Sequence, residues 1–248
     1  MRPVLRRQFL QIAALRIGFF TLAATLAGAP AEPVRKLTVV SFGLYGGEAV
    51  FRREATGAAE IVASRFGGDP VIVRYNTRKD AAATIETLAA TLESAAKRMD
   101  PATDVLFLIL TSHGSPEGLA VSAGRRSRTL TPARLAEMLD RTGIRHKVVV
   151  ISACYSGIFI PRLANSDTLV ITAADADHPS FGCEDKAKWT YFGDALFNSA
   201  LRQSTTLKEA FTLARSLVLT WELRSGFEPS NPQIAGGENV ERLLVARQ

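Results

Sequence analysis

One cysteine and one histidine each follow a strongly apolar run of this sequence. His113 comes two residues after Asp104–Thr111 (DVLFLILT), and Cys154 directly follows Lys147–Ala153 (KVVVISA). Such runs are typical of buried parallel strands, whose carboxyl ends meet at one edge of a sheet. A histidine beside a cysteine can take the thiol proton and so create a strong nucleophile. The N–H groups of Gly114 and Cys154 would then be placed to hold an oxyanion.

Each of these residues also has an ordinary structural interpretation. A lone cysteine at a strand end is commonly a small buried apolar residue. A histidine before a glycine is commonly a turn residue. Residue type and spacing alone leave the catalytic and the structural interpretation both open.

The elements that would position these residues alternate along the chain between strands and helices. Such alternation predicts an α/β fold, with a mostly parallel central sheet and helices on both faces. The predicted strands are Leu37–Phe42, Val71–Tyr75, Asp104–Thr111, Lys147–Ala153 and Thr168–Ala173. The predicted helices are Arg53–Phe66, Lys79–Arg98, Pro132–Arg141, Tyr191–Leu201 and Leu207–Leu223. A small hairpin is predicted over Gly118–Leu130, and loop is predicted from Ser225 onward.

Composition narrows the possible functions. The net charge is +6, but the basic residues are scattered and not interleaved with aromatic residues, so no nucleic-acid partner is expected. Only two cysteines, Cys154 and Cys183, and three histidines occur. They show no pairing of the kind that holds zinc, and neither a metal nor another cofactor is expected. Cys183 is expected to be a buried free thiol, and His146 to lie on the surface.

The N-terminus has the pattern of an export signal. Arg6 and Arg7 precede Phe9 and Leu10, as in a twin-arginine signal, and an apolar stretch with Ala29-Pro30-Ala31 follows. We therefore expect a signal peptide over residues 1–31, a single folded domain over residues 32–248, and export to the periplasm or outside the cell. An uncleaved membrane anchor is the alternative, although the apolar stretch is short for a bilayer.

Several segments together resemble the legumain family of cysteine peptidases, peptidase C13, which has the caspase-like fold. The resemblance covers about residues 37–200 and rests on His113-Gly114 after the third strand, Ala153-Cys154-Tyr155-Ser156-Gly157, Ile171–Ala174, and Thr190-Tyr191-Phe192-Gly193-Asp194. A weaker match sets Phe51-Arg52-Arg53-Glu54-Ala55 beside the family's Tyr-Arg-His-Gln-Ala. The resemblance implies a cysteine endopeptidase that acts on a peptide or protein, with Cys154 as nucleophile and His113 as base.

The resemblance also implies a substrate pocket for an asparagine side chain. Arg52 and Asp194 occupy the positions that shape this pocket in legumains, and Ser180 is a further candidate for its wall. An arginine and a carboxylate together satisfy both ends of an amide. The chain departs from the family at Tyr155, where a glutamate is usual, and at Arg53, where a histidine is usual. The extra charge of Arg53 favours an acidic residue before the cleaved bond, so cleavage after Asn or Asp is expected.

Other functions remain open at this point. The same acyl-enzyme would make a transpeptidase if an amine replaced water as the acceptor. A catalytically silent protein of this fold would bind peptides or assemble on a partner. His178 is an alternative base, and Gly43–Gly47 lacks the lysine of a nucleotide-binding loop. The sequence does not specify an oligomeric state.

Overall fold

A computed structural model of the chain describes residues 35–124 and 126–244. The signal peptide expected over residues 1–31 lies outside this range, so it stays a prediction, as does the domain boundary that follows it. Within the described residues, no helix is both long enough and apolar enough to span a membrane.

The core of the structure is a six-stranded sheet. Numbered in chain order, the strands are β1 Leu37–Gly43, β2 Val71–Tyr75, β3 Val105–Thr111, β4 Gly114–Ser115, β5 Gly118–Ala123, β6 Arg126–Leu130, β7 His146–Ser152, β8 Thr168–Thr172 and β9 Gln233–Ala235. The order in the large sheet is β2-β1-β3-β7-β8-β9. All neighbours in it are parallel except β9, which runs antiparallel to β8. The predicted α/β fold with a mostly parallel sheet is confirmed.

Helices cover both faces of this sheet. They are α1 Ala49–Phe66, α2 Ile85–Ala96, α3 Pro132–Arg141, α4 Ile160–Leu163, α5 Tyr191–Gly193, α6 Leu207–Arg224 and α7 Glu238–Glu241. Side chains alternate between the two faces along each strand. Val39 and Phe107 pack in the core beneath α1 and α6, while Val40 and Leu108 pack in the core beneath α2 and α3. Because both faces are covered, apolar residues occupy most positions of the central strands.

The ends of several elements differ from the prediction. Helix α1 begins four residues earlier than expected, at Ala49. Helix α2 begins later, at Ile85, because the Thr84 side chain caps its first turn by accepting the N–H of Thr87. The C-terminal tail was predicted to be loop, but it contains β9 and α7. Strand β9 forms because Ile234 pairs with Ile171 of β8, a long-range contact that a tail rich in Gly, Pro and Asn does not signal.

The predicted hairpin is present and belongs to a second sheet of three strands, in the order β4-β5-β6. Strand β4 starts at Gly114, directly after His113. The N–H of Ala120 donates to the carbonyl of His113 at 2.9 Å, and the Ser112 hydroxyl donates to the carbonyl of Ala120. Strand β5 of the hairpin thus holds the backbone of the histidine loop in place through these two hydrogen bonds.

Candidate active site

The histidine and cysteine loops meet at the carboxyl edge of the large sheet. Thr111 at the end of β3 is in register with Ser152 at the end of β7, so His113 and Cys154 each lie two residues beyond a matched pair. A Cβ atom at Gly114 would lie 2.0 Å from the carbonyl oxygen of Cys154. Only glycine fits at that distance. The two loops predicted from sequence are therefore in direct backbone contact.

The imidazole of His113 is held on several sides. Its ring makes edge-on contacts with the rings of Tyr45 and Phe51, at centroid distances of 4.7 and 4.9 Å. Its Nε2 lies 3.3 Å from Oε2 of Glu48, and both side chains are about one-third exposed, at 38% and 31%. Glu48 was not identified from sequence, because helix α1 was expected to begin at Arg53. It precedes the first residue of that helix.

The sulfur of Cys154 lies against Ser180. The Ser180 N–H donates to Sγ at 3.3 Å, Sγ lies 3.4 Å from the Ser180 carbonyl oxygen, and the Ser180 hydroxyl lies 3.8 Å away. Tyr155, the next residue, has a left-handed backbone with φ of 54° and donates its N–H to the carbonyl of His178. The family resemblance placed Ser180 in the wall of a substrate pocket; in the structure Ser180 lies against the sulfur of Cys154.

A fully buried carboxylate, Glu54, links the strands beneath the site. Its Oε1 accepts the Thr111 hydroxyl at 2.9 Å, and its Oε2 accepts both the N–H and the hydroxyl of Thr190, at 2.9 and 2.7 Å. The Ser152 hydroxyl lies 3.1 Å from that of Thr190. Burial raises the pKa of Glu54, and these hydrogen bonds oppose the rise. Glu54 therefore connects the ends of β3 and β7 to the segment that begins α5.

Arg52 and Asp194 line different cavities. The exposed Arg52 guanidinium lies 5.7 Å from the centre of the Tyr75 ring, in a cavity of about 360 Å³ that Glu48 also lines. Asp194 accepts a hydrogen bond from Asn198 at 2.7 Å and lines a cavity of about 530 Å³. Arg52 also lines a second cavity, of about 340 Å³, which shares Gly57 and Glu60 with the cavity of Asp194, but none of these three cavities contains both Arg52 and Asp194.

The guanidinium of Arg53 is bonded to backbone. It donates to the carbonyl oxygens of Asp185 and Ala187, the latter from Nε at 2.9 Å. Asp185 in turn accepts the N–H of Ala49 at 2.7 Å, at the start of helix α1. The charge of Arg53 thus anchors the loop that follows Cys183. The cavity that Arg52 lines also contains the basic residues Arg78 and Lys79 and the acids Glu48 and Asp185.

The remaining thiol and histidines have distinct environments. Cys183 is a free thiol, and burial raises its pKa to about 12, so Cys183 is a poor nucleophile at neutral pH. The Nδ1 N–H of His178 donates to the Asp175 carboxylate at 2.7 Å, and that hydrogen bond raises the pKa of His178. The prediction that His146 lies on the surface was wrong. His146 is the first residue of β7 and is buried, because the strand begins one residue earlier than expected. It lies at the amino end of the strand, whereas Cys154 follows the carboxyl end.

The residues that the structure describes contain no group of three His, Cys, Asp or Glu side chains placed to hold a metal ion.

Solved structures with the same fold include caspase-1 from Spodoptera frugiperda, with a TM-score of 0.57 and 15% identity over 82% of this chain and 89% of that chain. A structure of pro-sf-caspase-1 matches with a TM-score of 0.55 and 14% identity, over 82% of this chain and 92% of that one. No curated protein matches the chain.

The parallel sheet, its antiparallel last strand and the paired loops at its carboxyl edge define an α/β protein of caspase-like fold. The model of the peptidase C13 family matches residues 80–239, which include both loops. This chain belongs to the peptidase C13 family. Its function is accordingly of the cysteine peptidase type, as the resemblance indicated.

Proposed function

We propose that this protein is a cysteine endopeptidase in which Cys154 is the nucleophile and His113 is the general base. The observation that carries the proposal is the backbone contact between Gly114 and Cys154, which holds the two loops together at the ends of β3 and β7. The family match and the caspase-like fold support the same class of reaction. The other cysteine, Cys183, is half-buried, and the loss of solvent around it raises its pKa to about 12, so it is unsuited to the role.

The proposed reaction is acyl transfer through a thioester. His113 takes the proton of the Cys154 thiol, and the sulfur attacks the carbonyl carbon of the scissile peptide bond. The N–H groups of Gly114 and Cys154 hold the oxyanion that forms. His113 then gives its proton to the leaving amine as the C–N bond breaks. Water, deprotonated by His113, hydrolyses the thioester, releases the carboxylic acid and restores the thiol.

Glu48 is proposed to orient the imidazole during these proton transfers. Its carboxylate is positioned on Nε2 of His113, which leaves Nδ1 as the nitrogen for the Cys154 proton. A carboxylate in this position also favours the imidazolium that forms after proton transfer. The edge contacts of Tyr45 and Phe51 restrict rotation of the ring. Glu48 is therefore the third group of the proposed mechanism.

We further propose cleavage after Asn or Asp, with Arg52 as a contact for the side chain. The cavity that holds Arg52 also contains Arg78, Lys79, Glu48 and Asp185, so it offers both hydrogen-bond donors and acceptors. An amide uses both kinds of group, whereas a carboxylate uses the donors alone. Asp194 and Ser180 remain substrate-binding candidates on the family resemblance. Export of the enzyme is likewise proposed, on the twin-arginine pattern of its first residues.

Thiol labelling tests the dyad directly. The purified protein is treated with iodoacetamide from pH 5 to 9, and the labelled cysteine is located by mass spectrometry. We expect rapid labelling of Cys154 well below pH 8, slowed in His113→Ala, with Cys183 in the same chain as the internal reference. Peptides with Asn or Asp at the cleavage position should be hydrolysed, and Cys154→Ala should abolish this. Labelling of Cys154 at the rate of an ordinary thiol, unchanged in His113→Ala, would disprove the proposed mechanism.

A further inference from the structure

Strand β2 lies at an open edge of the large sheet. It is first in the strand order, and β1 is its one neighbour among the strands that the structure describes. Its sequence, Val71–Tyr75 (VIVRY), is rich in β-branched and aromatic residues, and its one charged residue is Arg74. Val71 is 40% exposed. An edge strand with unpaired backbone groups can pair with another chain, so the β2 edge is a candidate interaction surface.

The backbone of β2 has hydrogen-bonding groups on its outer side. In a parallel pair, alternate residues of a strand bond to the neighbouring strand. The N–H of Val39 donates to the carbonyl of Pro70 at 3.0 Å, so the even-numbered residues of β2 face β1. The N–H and carbonyl groups of Val71, Val73 and Tyr75 therefore point away from the sheet, where an added strand would bond to them.

A cavity lies on each face of this edge. The cavity on the α2 side, of about 420 Å³, is formed by Ile72 and Arg74 of β2 together with residues of α2. The cavity on the α1 side, of about 340 Å³, includes Tyr75 of β2 and Thr56 and Glu60 of α1. Side chains of a strand alternate between the two faces of a sheet. Those of an added strand would therefore project toward the two cavities in turn.

The α2-side cavity is positively charged. The ionisable residues that line it are Arg74 and Arg98, and no acid lines it. Nε of Arg74 donates to the Thr91 hydroxyl at 3.3 Å, and no carboxylate of residues 35–124 and 126–244 forms an ion pair with either arginine. The α1-side cavity is mixed in charge, since it contains Glu60 as well as two arginines. Charge complementarity therefore favours an acidic side chain in the α2-side cavity.

A second copy of this chain fits the edge less well than an acidic chain does. In an antiparallel pair of β2 strands related by a two-fold axis, the two α2-side cavities would lie on the same face of the joined sheet. Arg74 and Arg98 of both copies would then lie close together, with no acid among the residues that line the cavities. Like charges across a strand pair are destabilising. An acidic segment uses the same backbone groups without this repulsion.

We propose that the β2 edge binds an extended segment of a partner protein, which adds a strand to the sheet and places acidic side chains in the α2-side cavity. The backbone bonds supply affinity for any extended chain, whereas Arg74 and Arg98 select the acidic residues. Asn76, which follows β2, lines the cavity that contains Arg52 and Glu48 beside the candidate active site. A partner bound along β2 is therefore close to that site without occupying it, and its binding does not depend on the proposed peptidase function.

Charge-matched peptides test the inference in the full chain. A fluorescent peptide of alternating Glu and Thr is titrated by anisotropy, beside the same peptide with Lys in place of Glu. We expect the Glu peptide to bind at least about tenfold more tightly, and this preference to weaken at high salt. Arg98→Glu should reduce the preference to about twofold or less. Lys97→Glu makes the same change of charge at an exposed neighbour that does not line the cavity, and it should keep the wild-type preference.

Backbone pairing is tested separately from charge. Val73→Pro removes one outward N–H and leaves the bonds to β1 in place, so it should abolish binding of the Glu peptide. Circular dichroism checks that this variant folds. Hydrogen exchange of the wild-type protein gives the same information without a substitution, because the Glu peptide should slow exchange at the amides of Val71, Val73 and Tyr75 by about tenfold.

Several outcomes would overturn the inference. They are absent or equal binding of the Glu and Lys peptides, equal effects of Arg98→Glu and Lys97→Glu, and unchanged exchange at the three outward amides of β2. A wild-type dimer that dissociates in Val73→Pro, seen by analytical ultracentrifugation, would also overturn it, because a second copy would then be the occupant. None of these measurements requires peptide hydrolysis, so they stand apart from the thiol-labelling test of the proposed function.

Discussion

The carboxylate of Glu48 lies 3.3 Å from Nε2 of His113, at the point where helix α1 begins. The helix and the histidine loop are 65 residues apart in the chain. The contact exists because β1, which leads into α1, pairs with β3, which leads into the histidine loop. The adjacency of two strands thus gives the histidine a partner that no local motif contains.

Replacement of this carboxylate should lower catalysis and leave the fold intact. In Glu48→Gln we expect kcat to fall roughly 10- to 100-fold, because the neutral amide stabilises the imidazolium less and no longer selects the tautomer. KM should change little. The effect is expected to be smaller than for a buried partner, since the pair is one-third exposed. Glu117→Gln, an exposed acid in the loop after the histidine, is the matched control. A Glu48→Gln enzyme with wild-type kcat would remove Glu48 from the mechanism.

The buried Glu54 predicts a large loss of stability in one variant and a pH signature in another. Glu54→Ala leaves the hydroxyl of Thr111 and both donors of Thr190 without their acceptor, which should reduce the free energy of unfolding by about 2–4 kcal/mol. In Glu54→Gln the side chain keeps its size and shape but no longer has an ionisable carboxyl group. The legumain segment that resembles Phe51–Ala55 has a glutamine there, so this variant should fold.

The sign of the pH effect follows from the raised pKa of Glu54. Above the ordinary value of 4.5 the unfolded chain has lost this proton while the folded chain retains it, so the stability contributed by Glu54 falls as pH rises. Relative to Glu54→Gln, the wild-type Tm should therefore decrease from about pH 4.5 upward, in calorimetry at matched buffers. Glu222, another acid with a raised pKa, is present in both proteins and cancels. Parallel Tm curves for the two proteins would contradict the prediction.

The close approach of the two loops predicts that Gly114 tolerates no side chain. In Gly114→Ala the new Cβ would lie 2.0 Å from the carbonyl oxygen of Cys154, so the histidine and cysteine loops must separate. We expect iodoacetamide labelling of Cys154 to slow at least about tenfold and peptide hydrolysis to be lost. Gly143→Asn is the control, because no atom lies within 4 Å of that Cβ position and asparagine tolerates its positive φ. Equal labelling in the two variants would count against the loop contact.

The two cysteines should behave very differently toward alkylating reagents. Because the pKa of Cys183 is raised to about 12, it carries almost no thiolate below pH 9 and should be labelled only after denaturation. Cys183→Ala should retain peptide hydrolysis within about twofold of the wild-type kcat/KM. Mass spectrometry of native and urea-unfolded protein checks the labelling. Labelling of native Cys183 as fast as Cys154 would show that the loop around it opens in solution.

Much of the fold was predictable because the central strands are recognisable as apolar runs in the sequence. Val105–Leu110 and Val148–Ile151 are apolar without a break, as is typical of strands covered on both faces, and both belong to central strands. The helix stop at Gly67 was also predictable, since that residue has the left-handed backbone of a helix end, with φ of 76°. These features depend on residues that are close together in the chain.

Strand β9 and the position of His146 were not predictable by the same reasoning. Gln233–Ala235 is short, and it becomes a strand only because the edge of β8 offers hydrogen-bonding partners. His146 lies between Arg145 and Lys147, which suggests a surface position, yet its pairing with Val105 buries it. Both outcomes depend on long-range pairing, for which local composition contains no information.

The sequence by itself determined the types of the proposed reacting groups and the strands that end at them. His113, Gly114 and Cys154 were identified from their places after apolar runs, and the family resemblance gave them roles. Tertiary structure decided the surroundings: it brought Glu48 to the imidazole, buried Glu54 beneath both strands, and placed Arg52 and Asp194 in separate cavities. The physical reason is that periodicity and local propensity act over a few residues, whereas each of these contacts joins segments that only the packing of the sheet brings together.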